Sequence, residues 1–180
     1  QVIIGFSMII SVGSLSFIGR SLGEGKKEES QNIFKTAFIF ITIISVSILL
    51  VGRLFSQEIA VLLGANEVLL KGVSTYTKTI AIFAPIMSLM FLFGFINRVV
   101  GKPELYLRGM ILSVIVNISL DFILIKQLSL GIMGAAFATG MAYVASFFVV
   151  AHPMLNKNNI VNVFSGKFDK SVIIPMAYNG

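Results

Sequence analysis

Apolar residues run through this chain in long unbroken stretches. They do not alternate as in a half-buried strand, and they do not form the single stripe of a soluble amphipathic helix. Five stretches, near 2–19, 35–55, 79–99, 105–126 and 131–151, approach the roughly 20 residues a helix needs to cross a bilayer. A sixth begins near Val172. β-Branched residues crowd some of them, as in "FIFITIISVSILL", and in water that composition favours strands. In lipid each backbone group must be paired within its own segment, and barrel strands would alternate polar and apolar residues. The predicted fold class is therefore all-α, a polytopic membrane helix bundle.

The connections carry the polar residues. "GRSLGEGKKEESQN" is glycine-rich and charged, and "RVVGKPEL" is a tight basic turn. "KQLSLG" is short, and "NKNNIVNVFSGKFDK" is a longer polar linker. "SQEIAVLLGANEVLLKGVSTYTK" predicts a short surface helix followed by a polar approach to the third span. Pro85 lies inside that span and should kink it. The fifth span opens on "GIMGAAFATG", where Gly134, Ala135, Ala138 and Thr139 are small enough for close packing against a neighbour.

Composition agrees with the pattern. Of 180 residues, 56% are hydrophobic and only 12% are charged, about half the charged fraction of a soluble domain. Mean hydropathy is +0.93. The net charge of +6 would suggest nucleic acid in a soluble protein. Here the basic residues sit in the connections and report topology, so no nucleic-acid partner is expected. Arg20, Lys26, Lys27, Lys35, Arg98, Lys102, Arg108, Lys157, Lys167 and Lys170 follow the first, third and fifth spans, ten in all. Arg53, Lys71, Lys78 and Lys126 make four on the other side, which places the first group in the cytoplasm. The first span then runs from outside to inside, so one more helix is expected before it. The opening "QVIIGFSMII" has no basic leader and reads as the interior of a longer polypeptide. With no cysteine and a single histidine, His152, thiolate chemistry and a zinc site are excluded. No P-loop or dinucleotide motif is present, and the chain is not expected to be an enzyme or to carry a cofactor.

One acidic residue stands apart. Glu24, Glu28, Glu29, Glu58, Glu67, Glu104 and Asp169 are in connections, but Asp121 lies within the fourth span, in "NISLDFILI". A charged aspartate at a helix centre costs about 2.5–3.5 kcal/mol on insertion scales, and its short side chain cannot reach back to water as lysine can. Ser113, Asn117 and Asp121 recur every four residues and share a face, and Thr139, Tyr143 and Ser146 make a second stripe on the fifth span. Asn97 adds an amide near the inner end of the third. Polar side chains in bundles also tie helices together, at about 0.6 kcal/mol each, and Ser113, Ser146 and Tyr143 are assigned that role. Asp121 with amide and hydroxyl oxygens suits a hard monovalent cation or a transferable proton.

These residues resemble those of the multidrug and toxic compound extrusion (MATE) family. "IGRSLGEGKKEESQNIF" is similar to the family's cytoplasmic loop after its second helix, and "FINRVVGKPELY" to the turn after its fourth. "NISLDFILI" followed by "GIMGAAFAT" resembles the fifth and sixth helices, and "SVIIPMAYNG" the entry to the seventh. The resemblance implies most of one six-helix lobe of a twelve-helix transporter in the cell membrane. Residues 1–151 would be amino-terminal-lobe helices, 152–170 a cytoplasmic interlobe linker, and 171–180 the truncated start of the second lobe. It implies export of amphipathic, often cationic compounds in exchange for Na+ or H+ by alternating access. It further implies a coupling site at Asp121, Asn117 and Thr139, which would hold Na+ where sodium is the ion, with Asn97 and Tyr76 as further counterparts lining the cavity; Ser113 and Tyr143, on the two polar stripes, are candidate lining residues by their spacing. The implied partners are lipid, small amphipathic substrates, and the first helix and second lobe of the same polypeptide.

Two other readings fit less well. A lipid-linked oligosaccharide flippase needs basic residues at span centres to hold pyrophosphate, whereas Arg98 and Arg108 lie near cytoplasmic ends. A non-transporting scaffold predicts no ionisable residue within a span.

Overall fold

The computed structural model describes residues 2–178, and among them there are helices and turns but no strands. The helices are α1 (Val2–Gly23), α2 (Lys27–Leu54), α3 (Ser56–Leu62), α4 (Glu67–Ile80), α5 (Ala84–Val99), α6 (Pro103–Asp121), α7 (Gly131–Ala151) and α8 (Ile173–Tyr178). Four stretches, Lys27–Leu54, Glu67–Val99, Pro103–Gln127 and Gly131–Ala151, are long and apolar enough to cross a membrane. The 22-residue α1 lies over the first predicted span.

The third span differs from expectation at its outer end. The expected polar approach is helical: α4 runs through a 3-10 turn, Ala81–Phe83, directly into α5. Pro85 explains the turn. It has no N–H to offer the carbonyl of Ala81 four residues back, and the Ala84 N–H takes that carbonyl instead. At the other end, Lys102 N–H bonds the Asn97 carbonyl at 2.7 Å across Gly101 (φ +79°). This is a left-handed glycine stop. Pro103, preset for a helix start, opens α6 within two residues.

α5 is the central helix, buried without a break from Met90 to Asn97. Around it Phe34, Phe38, Phe93 and Phe147 stack with ring centroids 5.8–6.3 Å apart. α1 reaches it with small polar residues: Ser7, Ser11, Ser14 and Ser21 are all buried. The Ser11 and Ser14 hydroxyls donate to carbonyls one turn back, and Ser7 Oγ donates to Ser88 Oγ of α5 at 2.7 Å. A hydroxyl whose hydrogen bond closes on its own helix costs little in an apolar interface and lets backbones approach.

The segment after α7 is docked on the first turns of α2. Gln31, buried, donates through Nε2 to the Asn162 and Ser165 carbonyls at 2.7 and 2.9 Å and accepts from Asn162 N–H at 2.9 Å. Lys35 Nζ donates to the Val163 carbonyl at 2.8 Å, and Asn32 and Thr36 accept from the N–H groups of Lys167 and Asp169. The Asp169 carboxyl is held below its usual range by the Ser171 hydroxyl and then by the Ser171 N–H. Met154 and Val161 are buried beneath this strap. Leaving a buried amide unsatisfied costs about 1–3 kcal/mol. Gln31→Ala is therefore expected to open the strap, seen as trypsin cleavage after Lys157 or Lys167 accelerated roughly tenfold or more.

Candidate functional site

Asp121 is the last residue of α6, and the helix does not continue in α form. Phe122–Gln127 is a π-helical turn, closed by Leu128 N–H to the Ile123 carbonyl at 2.9 Å. Such turns occur mostly as single insertions, frequently at functional sites. The turn ends at Ser129 and Gly131, both with positive φ, and Lys126 folds its ammonium over the Phe122 ring at 5.1 Å. Asp121 is half-buried, and its Oδ1 is enclosed with no hydrogen-bond partner among the described residues. A carboxylate oxygen shielded from water and left unpaired is costly, and a cation or a proton would relieve that cost.

Glycine contacts set the levels of the surrounding helices. A methyl on Gly109 would lie 2.7 Å from Ser146 Oγ, and one on Gly134 would lie 3.1 Å from Leu124 Cβ. These two contacts pin α6 antiparallel to α7. Asn117 is then level with Thr139, and Asp121 is level with Ala135. On α4, a methyl on Gly72 would meet Ile132 Cδ1 at 2.8 Å, and on α7 a methyl on Gly140 would meet Phe83 Cδ2 at 2.1 Å. α4 thus runs parallel to α7 and brings Tyr76 to the level of Asp121. Asp121, Asn117, Thr139 and Tyr76 come within about one helical turn, roughly 5 Å, of one another along the bundle axis.

The other candidates lie lower. Ser113 and Tyr143 are level with each other one turn further in. Asn97 is at the inner end, where its Nδ2 donates to the Val150 carbonyl at 2.9 Å. It stands about 20 Å from the level of Asp121, counting helical rise along α7. The structure does not bring it to the same site. Nor do the expected hydroxyls tie helices together. Ser113 Oγ donates to Met110 of its own helix at 2.8 Å, and Ser146 Oγ, fully buried against Gly109, has no partner among the described residues. Tyr143 packs its ring on Phe91, centroids 6.0 Å apart. Sequence reasoning did not anticipate the π turn, for which no residue pattern is diagnostic. It also missed the inner junction of Asn97, Gly109 and Ser146, whose only sequence signal is the glycine.

Among the described residues, no three of His, Cys, Asp and Glu gather where a metal could be held. One carboxylate with an amide, a hydroxyl and a phenol at its level suits a proton or a monovalent cation. The unpaired Oδ1 supplies the oxygen that either would need.

The fold and this site define a multi-pass helical membrane protein with, among the described residues, a carboxylate oxygen enclosed between its helices. The chain belongs to the MatE family, whose pattern matches residues 1–123. It is 32% identical over 176 residues to the multidrug export protein MepA of Staphylococcus aureus (strain NCTC 8325 / PS 47), covering 96% of this chain and 39% of that protein. The corresponding protein of Staphylococcus saprophyticus is 31% identical over 163 residues, covering 90% of this chain and 36% of the relative. The chain thus spans well under half the length of these relatives. The fold matches an inward-facing multidrug resistance MATE family transporter with a TM-score of 0.90 at 23% identity, over 99% of this chain and 41% of that one. An outward-facing structure of a MATE family transporter matches with a TM-score of 0.87 at 24% identity, over 97% and 39%.

Proposed function

We propose that this chain forms most of the amino-terminal lobe of a cell-membrane antiporter. In this reading it exports amphipathic, often cationic compounds in exchange for Na+ or H+, with Asp121 as the coupling group. The observation that carries the reading is the shielded Asp121 Oδ1 without a partner, at the junction of an α and a π segment. Asn117 and Thr139 are the nearest candidates to complete the cation's shell, and Tyr76 lies at the same level. Ionised, Asp121 attracts a cation. Binding neutralises it and removes the cost of holding a charge in an apolar wall, so the bound and free lobes prefer different packings. An ion shifts the inward–outward equilibrium only by its differential affinity for the two states. The same lobe fold resembles both an inward-facing and an outward-facing transporter, which supports movement of the lobe largely as a body. The first helix and the second lobe of the same polypeptide are its expected partners. No cofactor is needed beyond the coupling ion, and no covalent chemistry is assigned.

The test is gradient-driven flux. In vesicles containing the full-length protein and loaded with a cationic dye, a Na+ or a proton gradient directed oppositely to dye movement should drive dye release. Collapsing that gradient with the matching ionophore should stop it. Dye flux indifferent to both gradients would refute the coupling.

A further inference from the structure

The corner between α3 and α4 is apolar where a connection between spans is ordinarily polar. Val61, Leu62, Leu63, Val68 and Leu69 are all exposed, with Leu62 at 85% and Val68 at 87%. Monomeric soluble surfaces rarely expose so contiguous an apolar patch. The corner is nonetheless ordered. Asn66 caps α4 by accepting from the Leu69 N–H at 3.0 Å, Gly64 turns the chain at φ +85°, and Ser74 Oγ donates to Ser56 Oγ at 3.1 Å. α3 therefore rests its small face, Ser56 and Ala60, on α4 and turns its large apolar residues away.

Two observations set the height of this corner. α2 ends its apolar run at Leu54, so the corner begins where that span meets the outer surface. Gly72 abuts Ile132 in the first turn of α7, so Val68 and Leu69 lie one turn beyond the start of another span. The outward face of α2, the span that leads into the corner, is apolar as well, with Ile43, Val46 and Leu50 exposed along one stripe. Beside the corner, on the α4 face that carries Glu67 and Lys71 and turns away from Leu69, is a polar cleft lined also by Arg53, Glu58 and Lys78. A short element at a span end, with one apolar side and one charged side, has the form of an interfacial segment.

We propose that the α3–α4 corner is a lipid contact, with Leu62, Leu63, Val68 and Leu69 inserted into the outer leaflet and the charged cleft facing water. The corner anchors the outer end of the α4–α5 helix to the bilayer.

Residues 1–180 include no tryptophan, so an introduced indole can be read directly. The full-length protein would carry Leu62→Trp, or in a second variant Val68→Trp, with any tryptophan outside residues 1–180 replaced by phenylalanine. It would be reconstituted with phosphatidylcholine brominated high on its acyl chains. Both indoles should emit at blue-shifted wavelengths, lose most of their emission to the brominated lipid, and resist aqueous iodide. Glu67→Trp, on the cleft side of α4, should be quenched by iodide instead. Quenching of the Leu62 and Val68 indoles by iodide would overturn the proposal. So would emission untouched by either quencher, because the corner would then be covered by protein.

Discussion

Asp121→Asn in the full-length protein is expected to cut ion-driven efflux sharply and to leave the protein at least as stable as before. The substitution keeps the shape of the side chain and removes its ability to carry a charge. Oδ1 is enclosed without a partner, so the native site holds a polar group whose desolvation nothing on the described residues offsets. Removing the charge relieves that cost, and the unfolding temperature in detergent should hold or rise. Coupling free energies between sites commonly run about 1–3 kcal/mol, so the gradient-driven rate should fall roughly 5- to 150-fold. Substrate binding measured without a gradient should change much less. A residue kept only for packing would behave in the opposite way, lowering stability while sparing ion dependence. Asp121→Asn protein that still exports in response to the same ion would remove Asp121 from the mechanism.

The largest losses of stability should come from two glycines at helix crossings, Gly94→Ala and Gly140→Ala. A methyl on Gly94 would lie 2.2 Å from Tyr106 Cδ2, and one on Gly140 would lie 2.1 Å from Phe83 Cδ2. Both are inside contact distance and meet a ring, not the free end of a flexible chain. Tyr106 has little room to yield, because it is buried, stacks on Phe95 with centroids 5.9 Å apart, and carries the Arg98 guanidinium 4.4 Å from its ring. Phe83 is buried in the 3-10 turn ahead of Pro85, edge-on to Phe137. Overpacking typically costs about 1–3 kcal/mol, and each substitution is expected to reach the upper part of that range. Thermal unfolding of the detergent-solubilised protein measures it directly. Gly23→Ala, at a position with open space around it, is the matched control and should be nearly silent.

The span pattern was readable because lipid imposes it residue by residue. A run such as "GIMGAAFATGMAYVASFFVVA" has no stable alternative to a helix in a bilayer, and α7 forms over that stretch. Asp121 could be singled out for the same reason, since one carboxylate within an apolar run is anomalous without any knowledge of its neighbours. Its surroundings were a different matter. Asn97 was already legible near one end of its span, but only helix direction and register show that it stands about 20 Å from the level of Asp121 while Asn117 lies within one turn of it. The extended α4 shows the limit as well: its polar residues suggested a surface approach, and packing against α7 makes it the continuation of a span. The docking of residues 162–169 on Gln31, Asn32, Lys35 and Thr36 left no trace in the sequence, because side-chain recognition of a backbone requires no particular partner residue.

Hydropathy, loop charge and one misplaced aspartate were sufficient to establish a helical membrane bundle, its expected orientation and the carboxylate that stands out within it. They act through local free energies: transfer of each side chain into lipid, attraction of basic loops to the cytoplasmic side, the cost of a lone carboxylate. Which polar groups share a level, where α6 widens into a π turn, and which oxygen is left without a partner depend on interhelical register. That register is set by close contacts at Gly72, Gly109, Gly134 and Gly140, and those contacts exist only once the helices have met.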